Sequence, residues 1–233
     1  MFKKYWIVGL FVLGLLIFLY PHIAQQHTKR AQMNEVVKIK DEFKHVSEKE
    51  KEKKKEGVHS CNEAIFMNED GINDPFTFSY DRDHYEQCED APRSGEKIGA
   101  LEIPKLKLNI PMFIGTTEAE LTQGVGQVDG SSLPFGGPST HTVLAGHRGM
   151  WTKAMFRNLD EMNVGDEFYL HTVTGKLTYK IYDVSIVRPY ETESLAIVEG
   201  SDRASLMTCH PYGFNTHRLI VHGERVKEEA SAE

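Results

Sequence analysis

The chain has 233 residues, of which 40% are hydrophobic and 26% are charged, and its formal net charge is −7. This length suits one ordinary globular domain with appendages. The mildly acidic balance argues against nucleic acid as a partner.

The amino terminus carries the pattern of a membrane anchor. Lys3 and Lys4 precede an uncharged run from Tyr5 to Tyr20 that has aromatic residues at both ends. A span needs about 17–25 residues, so we expect the helix to extend through residues 21–24. A cleaved signal peptide is the alternative, but no clear cleavage site follows the run. We therefore predict residues 1–24 as a cytoplasmic tip and uncleaved anchor, with the rest of the chain outside the cell.

The next segment, residues 25–60, is polar and rich in charge. Val36, Ile39, Phe43 and Val46 recur in it at helical spacing, which predicts an amphipathic stalk helix. We interpret the segment as a solvated spacer that holds the following domain off the membrane, rather than as a specific binding helix.

The chain has three cysteines, and an oxidising exterior favours their pairing. Cys61 and Cys88 lie in an irregular segment, residues 61–94, whereas Cys209 ends an apolar run. The simplest assignment is a disulfide between Cys61 and Cys88 with Cys209 free. Two unpaired, inert cysteines at the first two positions are the alternative.

From Gly95 onward the sequence consists of short apolar runs separated by glycine and proline, with brief helical breaks at 117–121 and 151–162. This pattern predicts a mostly β domain, a sandwich or a barrel, over residues 95–226, followed by a charged tail at 227–233. The predicted strands are IGALEIP, LKLNIPMFIG, THTVLAGH, DEFYLHTV, LTYKIYDVSIVRP, ASLMTC and RLIVHGERV.

Cys209 is a candidate nucleophile, provided that neighbouring cations lower the pKa of its thiol from about 8.5. Strand alternation should turn His210 away from Cys209. On the next predicted strand, Arg218 and His222 share a face but stand four residues apart, roughly 13 Å. Only one of these two residues can therefore contact the thiolate.

The best candidate for a general base is His147, in LAGHRG, where an apolar strand runs into a loop flanked by glycines. Such a loop gives an imidazole room to meet a substrate. His141, His217 and His222 remain open as alternatives.

A metal site is another use for the cysteine and histidines near the carboxyl end, which are Cys209, His210, His217 and His222. Adjacent ligands at Cys209 and His210 do not match the usual spacing of zinc sites. We expect no metal and no cofactor.

Three stretches combine around these residues: LAGHRG, SLMTC and NTHRLIVHG. Together they resemble the signature of the sortases, the membrane-anchored cysteine transpeptidases of Gram-positive envelopes. The resemblance continues through SLPFGG, MFRNLDEMNVGDEFYL and TCHPYGFNTHRL, covers nearly all of Gly95–Val226, and is greatest to class C, the pilin-polymerising sortases. Ser205 replaces the usual threonine, and His210 stands where class C commonly has threonine.

The resemblance implies an eight-stranded sortase β-barrel in which Cys209 is the nucleophile, His147 the acid and base, and Arg218 the stabiliser of the carbonyl oxygen. It also implies an LPxTG-like sorting signal, cleaved between Thr and Gly through a thioester, and an acceptor amine, typically a pilin lysine. Class A or D sortases, which attach proteins to the cell wall, are the alternative because no second apolar span follows the barrel and they typically have one amino-terminal anchor. A cell-wall cysteine hydrolase or an adhesion module without activity is less favoured.

A further feature of the resemblance is GINDPFTF. Class C sortases have a lid with Asp-Pro followed by an aromatic residue, which Asp74, Pro75 and Phe76 match, so the irregular segment becomes a lid segment. We expect Asp74 to pair with Arg218 and Phe76 to cover Cys209. An ordinary turn is the alternative, since Asn-Asp-Pro is common in turns.

Overall fold

The computed structural model of the protein describes residues 2–68, 71–77, 88, 92–150 and 152–226. Parts of the predicted lid segment (69–70, 78–87 and 89–91), Trp151 and the predicted tail (227–233) lie outside the described residues.

Eight strands form a closed barrel in the order β1-β2-β3-β4-β7-β8-β6-β5, which confirms the predicted mostly β, eight-stranded fold. Two neighbouring pairs, β2 with β3 and β4 with β7, are parallel, and the others are antiparallel. The sequence runs predicted every strand except β3, which has only three residues. The strands are β1 Lys97–Ile103, β2 Leu108–Ile114, β3 Val125–Gln127, β4 Thr140–Ala145, β5 Glu167–Thr172, β6 Gly175–Val187, β7 Asp202–His210 and β8 His217–Arg225.

The barrel has apolar residues on both sides of β4, β7 and β8. Leu144, Leu206 and Val221 lie in its main core. Because side chains alternate along a strand, their sequence neighbours point to the opposite, outer face. On this face a second group of buried side chains forms what we call the outer apolar cluster: Ile72, Val128, Val143, Ala145, Leu195, Met207 and Ile220.

Three α-helices accompany the barrel: α1 (Phe2–His45), α2 (Glu48–Met67) and α3 (Glu118–Leu121). The prediction of a helical break at 117–121 agrees with α3, which Thr117 caps by accepting a hydrogen bond from the amide of Ala119 at 3.3 Å. The break predicted at 151–162 consists of turns and a short 3-10 helix instead.

The interpretation of residues 25–60 as a solvated spacer is wrong. Val36 and Ile39 of α1 are 0% and 3% exposed and belong to the buried core, and α1 contacts β1 and β2. Lys40 of the same helix pairs with Glu102 of β1 at 3.0 Å. The apolar stripe of the predicted amphipathic helix therefore faces the barrel rather than solvent.

Helix α2 is also attached to the barrel domain. Asn62 is buried and exchanges two hydrogen bonds with the backbone of Leu133, at 2.7 and 3.3 Å. Cys61, beside it, forms a disulfide with Cys88, and Cys209 is a free cysteine. The disulfide closes a loop that contains residues 74–76.

We expect Val36→Ala to lower the free energy of unfolding by about 2 kcal/mol, because a fully buried valine loses its apolar contacts. Urea denaturation of the chain without residues 1–24 measures this effect. The matched control is Val37→Ala on the same helix, where the side chain is 58% exposed, and its effect should be near zero. Equal effects of the two substitutions would mean that α1 does not rest on the barrel in solution.

Candidate active site

The pairing of β7 with β8 sets Cys209 directly opposite Arg218, at the end of one strand and the start of the next. Cys209 is 9% exposed and Arg218 is 4% exposed. Cys209 lies two residues after Met207 on β7, so the two side chains point to the same face of the strand. Because Met207 belongs to the outer apolar cluster, both are on the outer face of the barrel. Of the two residues that the sequence left as alternatives, strand register therefore places Arg218, and not His222, opposite the thiol.

Burial raises the pKa of the Cys209 thiol above its usual value. The positive charges of Arg218 and Arg148 oppose this effect, whereas the negative charge of Asp74 adds to it. In the arrangement described, the sulfur is therefore held as a thiol, and the thiolate required for nucleophilic attack is disfavoured.

Asp74 forms a bidentate ion pair with the guanidinium of Arg218. Nε donates to Oδ1 at 2.6 Å and Nη2 donates to Oδ2 at 2.7 Å, and both side chains are buried. Nη1 donates to the backbone carbonyls of Asn215 and His217 at 3.0 and 2.9 Å. The hydroxyl of Thr77 donates to Asp74 at 2.6 Å. The guanidinium of Arg218 thus donates hydrogen bonds to the segment 71–77 and to backbone carbonyls of its own strand and the preceding loop.

Phe76 packs against two of the predicted site residues. The guanidinium carbon of Arg218 lies 5.2 Å from the centre of the Phe76 ring, and the ring centre of His147 lies 6.3 Å from it. Phe76 and its neighbour Ile72 both pack with the outer apolar cluster, and Pro75 between them is buried. One aromatic side chain therefore sits against both His147 and Arg218.

His147 is positioned by a loop that is fixed to β7. The amide of Gly146 donates to the Met207 carbonyl at 3.1 Å, and the Thr208 hydroxyl donates to the Gly146 carbonyl at 2.7 Å. A Cβ at residue 146 would come within 2.9 Å of Phe156, so glycine is required there. The His147 side chain is 26% exposed as a whole, although its Nε2 atom is buried.

Two charged residues near the site had no clear role from sequence. Glu118 of α3 has a carboxylate oxygen 3.4 Å from Nε2 of His147, and no spacing in the sequence indicated this contact. Arg148, inside the quoted LAGHRG, is buried, donates to the carbonyl of Arg157 at 3.0 Å and pairs with Asp160 at 2.8 Å. Arg148 therefore anchors the loop that carries His147.

The other candidate bases lie elsewhere. His222 pairs across strands with Ser205, four residues before Cys209, and is 2% exposed. His141 contacts the same serine, at 2.7 Å. His217 pairs with His210 at the loop end of the two strands. The described residues include no group of three or more His, Cys, Asp or Glu side chains arranged to hold a metal ion.

Comparison with known proteins gives the same picture. A sortase-domain profile matches residues 101–226. Sortase D of Bacillus subtilis (strain 168) is 32% identical over 138 residues, which are 58% of this chain and 67% of that protein. Sortase A of Streptococcus agalactiae serotype III is 31% identical over 134 residues, 56% of this chain and 53% of that protein.

Solved structures of sortase C enzymes resemble the whole described fold. Sortase C of Streptococcus pneumoniae has a TM-score of 0.75 and 35% identity, with 85% of this chain and 100% of that chain covered. Sortase C of Clostridium perfringens has a TM-score of 0.70 and 31% identity, with 84% and 99% covered. The chain therefore belongs to the sortase family of cysteine transpeptidases, and class C sortases are among its structural neighbours.

Proposed function

We propose that the chain is a membrane-anchored transpeptidase that cleaves an LPxTG-like sorting signal between Thr and Gly and joins the new acyl end to a pilin lysine. The observation that carries this proposal is the cross-strand pair of Cys209 and Arg218 under the side chains of Asp74 and Phe76. Two of the neighbours support the substrate class. The description of the Streptococcus pneumoniae enzyme names pilin substrate specificity, and the Clostridium perfringens enzyme was solved with a cell wall sorting motif.

The first half-reaction begins when Asp74 leaves Arg218. The proton of the Cys209 thiol passes to the imidazole of His147. The resulting thiolate attacks the carbonyl carbon of the threonine, and Arg218 donates hydrogen bonds to the oxygen on which negative charge develops. Protonated His147 gives its proton to the nitrogen of the departing glycine as the C–N bond breaks. The products are a Cys209 thioester and a free glycine amine.

The second half-reaction reverses these roles. A lysine amine attacks the thioester carbonyl, Arg218 again faces the charged oxygen, and His147 takes the proton that the amine loses. The C–S bond breaks and Cys209 returns as a thiolate. The new bond is an isopeptide bond between the threonine and the lysine. Glu118 is placed to orient the His147 ring during both proton transfers.

We further propose that residues 71–77 are a lid that keeps the resting enzyme weakly active. Asp74 neutralises the cation that would stabilise both the thiolate and the charged oxygen, and Phe76 fills space beside His147 and Arg218. The proposed lid is also what favours class C over class A or D. The disulfide between Cys61 and Cys88 holds both flanks of the lid.

The proposed anchor is the amino-terminal part of α1. Among the described residues one helix, Tyr5–His45, is long and apolar enough to cross a membrane, and its most apolar window is not buried against the protein. We propose, from Lys3 and Lys4 before the span, that residues 1–4 lie in the cytoplasm and the barrel outside, although Lys29 and Arg30 beyond the span reduce the charge asymmetry. Because α1 continues from this window to Val36 and Ile39, the same helix connects the proposed span to the barrel surface.

We expect Cys209→Ala to abolish thioester formation, because no other described group replaces the sulfur. His147→Ala and Arg218→Ala should each lower kcat/KM by about 10²–10⁴-fold, since they remove the proton donor and the charge stabilisation. The measurement is amine exchange on an LPxTG-like peptide. His217→Ala is the matched control and should change the rate only slightly, whereas an equal loss in this variant would show that the base is wrongly assigned. Peptide hydrolysis without exchange would favour a hydrolase.

The double substitution Asp74→Ala with Phe76→Ala should raise the rate of Cys209 alkylation by iodoacetamide about tenfold or more. The lid then loses both its ion pair and its aromatic contact, and each 1.4 kcal/mol of lost closing free energy increases the open population tenfold. Mass spectrometry of the labelled protein measures this rate without any substrate.

The control for the lid is Asn73→Ala, which alters an exposed neighbour and should leave the alkylation rate unchanged. Cys88→Ala should give a smaller increase than the double substitution, because it frees one flank of the lid and leaves its contacts in place. Unchanged alkylation in the double variant would refute the lid.

Deletion of residues 1–24 should release an active, soluble domain, because the charge-free run is removed and the contacts of α1 with the barrel remain. Fractionation of cells followed by the amine-exchange assay measures both properties. Persistent membrane association of the shortened chain in the absence of a substrate protein would contradict a single amino-terminal anchor.

A further inference from the structure

A row of buried polar side chains crosses the outer face of the barrel below Cys209. Ser205 lies four residues before Cys209 on β7, about 13 Å along the strand. It pairs with His222 of β8, and His141 stands on β4 at its other side. Ser205 and His141 are 0% exposed and His222 is 2% exposed. The proposed catalytic steps use none of these three side chains.

Four hydrogen bonds connect these groups in one line. Nδ1 of His141 lies 3.1 Å from the carbonyl oxygen of Ala196, and Nε2 of His141 lies 2.7 Å from the hydroxyl of Ser205. The same hydroxyl lies 2.9 Å from Nδ1 of His222, whose Nε2 lies 3.1 Å from the hydroxyl of Ser185. The line begins at a backbone carbonyl, which can only accept.

The carbonyl fixes the direction of every bond when both rings are neutral. His141 must donate from Nδ1 to Ala196, so its Nε2 accepts and Ser205 must donate to it. The Ser205 oxygen then accepts from Nδ1–H of His222. Nε2 of His222 is left as an acceptor for the Ser185 hydroxyl. One proton arrangement satisfies all four bonds.

Both rings are in surroundings that favour the neutral form. Burial lowers the pKa of His141 to about 4, and the charges of His222 and Arg203 act in the same direction. Burial also lowers the pKa of His222, where Arg203 adds to the effect and Asp183 opposes it. At neutral pH both histidine rings in this line of hydrogen bonds are therefore uncharged.

The Ala196 end of this line of hydrogen bonds lies in the connection between β6 and β7. Ala196 ends a short 3-10 helix, Glu193–Leu195, and Leu195 is fully buried in the outer apolar cluster. Phe76 of the lid packs against this same cluster. The segment 193–196 thus borders the surface that Phe76 covers, and the Leu195 side chain and the Ala196 carbonyl attach it to the barrel.

We propose that His141 and Ser205 are positioning residues that hold the segment 193–196 as a fixed wall beside the active site. Ser205 never touches the segment, but its hydroxyl donates to Nε2 of His141 and holds the ring with Nδ1 toward the Ala196 carbonyl. Without that hydroxyl, the imidazole loses the bond that fixes its orientation and can rotate away from the carbonyl. The segment 193–196 then loses its polar attachment beside the outer apolar cluster. The effect on substrate binding rests on the proposed function, whereas the attachment itself does not.

The direct test is nitrogen NMR of the full chain in detergent micelles, labelled with ¹⁵N-histidine, at neutral pH. We expect His141 and His222 both to be neutral with hydrogen on Nδ1. Assignment of each signal comes from its loss in His141→Gln or His222→Gln. Hydrogen on Nε2 of His141 in the unmodified protein would overturn the proposal.

The functional test compares Ser205→Ala with Ser205→Thr, which keeps a hydroxyl. In Ser205→Ala, amide hydrogen exchange over residues 193–197 should rise about tenfold, and KM for the LPxTG-like peptide should rise about fivefold or more with kcat little changed. Ser205→Thr should restore both values toward those of the original chain. Ser139→Ala is the control, because it removes a different bond of the same connection, to the amide of Gly200 at 2.9 Å, and should leave KM unchanged.

The outcomes separate the two proposals. Unchanged exchange in Ser205→Ala, or equal exchange in the Ala and Thr variants, would overturn the positioning role. If the original chain cleaves no sorting peptide but exchange rises only in Ser205→Ala, the proposed function fails and the attachment stands.

Discussion

The buried ion pair between Asp74 and Arg218 is the interaction on which the state of the active site depends. Its two hydrogen bonds, at 2.6 and 2.7 Å, join a lid residue to the cation opposite Cys209. Removing one partner of a buried pair leaves an uncompensated charge, which typically costs 3–5 kcal/mol. The lid that we propose would therefore open easily only when another group can accept the hydrogen bonds of Arg218. A peptide carbonyl that gains negative charge is such a group, so substrate binding and lid release become linked events.

The outer face of β4, β7 and β8 provides the surface on which these events occur. The apolar pair Met207 and Ile220 separates the pair of Cys209 and Arg218 from the hydrogen-bonded pair of Ser205 and His222. The same surface receives Phe76 from the lid and Leu195 from the connection between β6 and β7. A single sheet face thus carries Cys209, Arg218 and two bordering segments, so the proposed lid can affect all of them together.

Sequence patterns predicted the barrel, because strand alternation is a local property. The same alternation showed that only one of Arg218 and His222 can contact Cys209, and the choice of Arg218 came from the resemblance of the short motifs to those of the sortases. The burial of Val36 was missed because it depends on a partner surface more than 60 residues away in sequence. The contact of Glu118 with His147 and the hydrogen bonds of His141 were missed for the same reason. Their partners come from separate strands and loops, and the spacing of residues in the sequence does not reveal such contacts.

The pH dependence of Cys209 alkylation in the original chain and in Asp74→Asn tests the account most directly. The substitution removes the negative charge of Asp74 and keeps the size of its side chain, so this charge no longer opposes the effect of Arg218 on the sulfur, while burial still raises the pKa. We expect the pKa of Cys209, read from the midpoint of the alkylation rate, to fall in Asp74→Asn. A midpoint that is unchanged or higher would contradict the claim that Asp74 holds the nucleophile in its resting state.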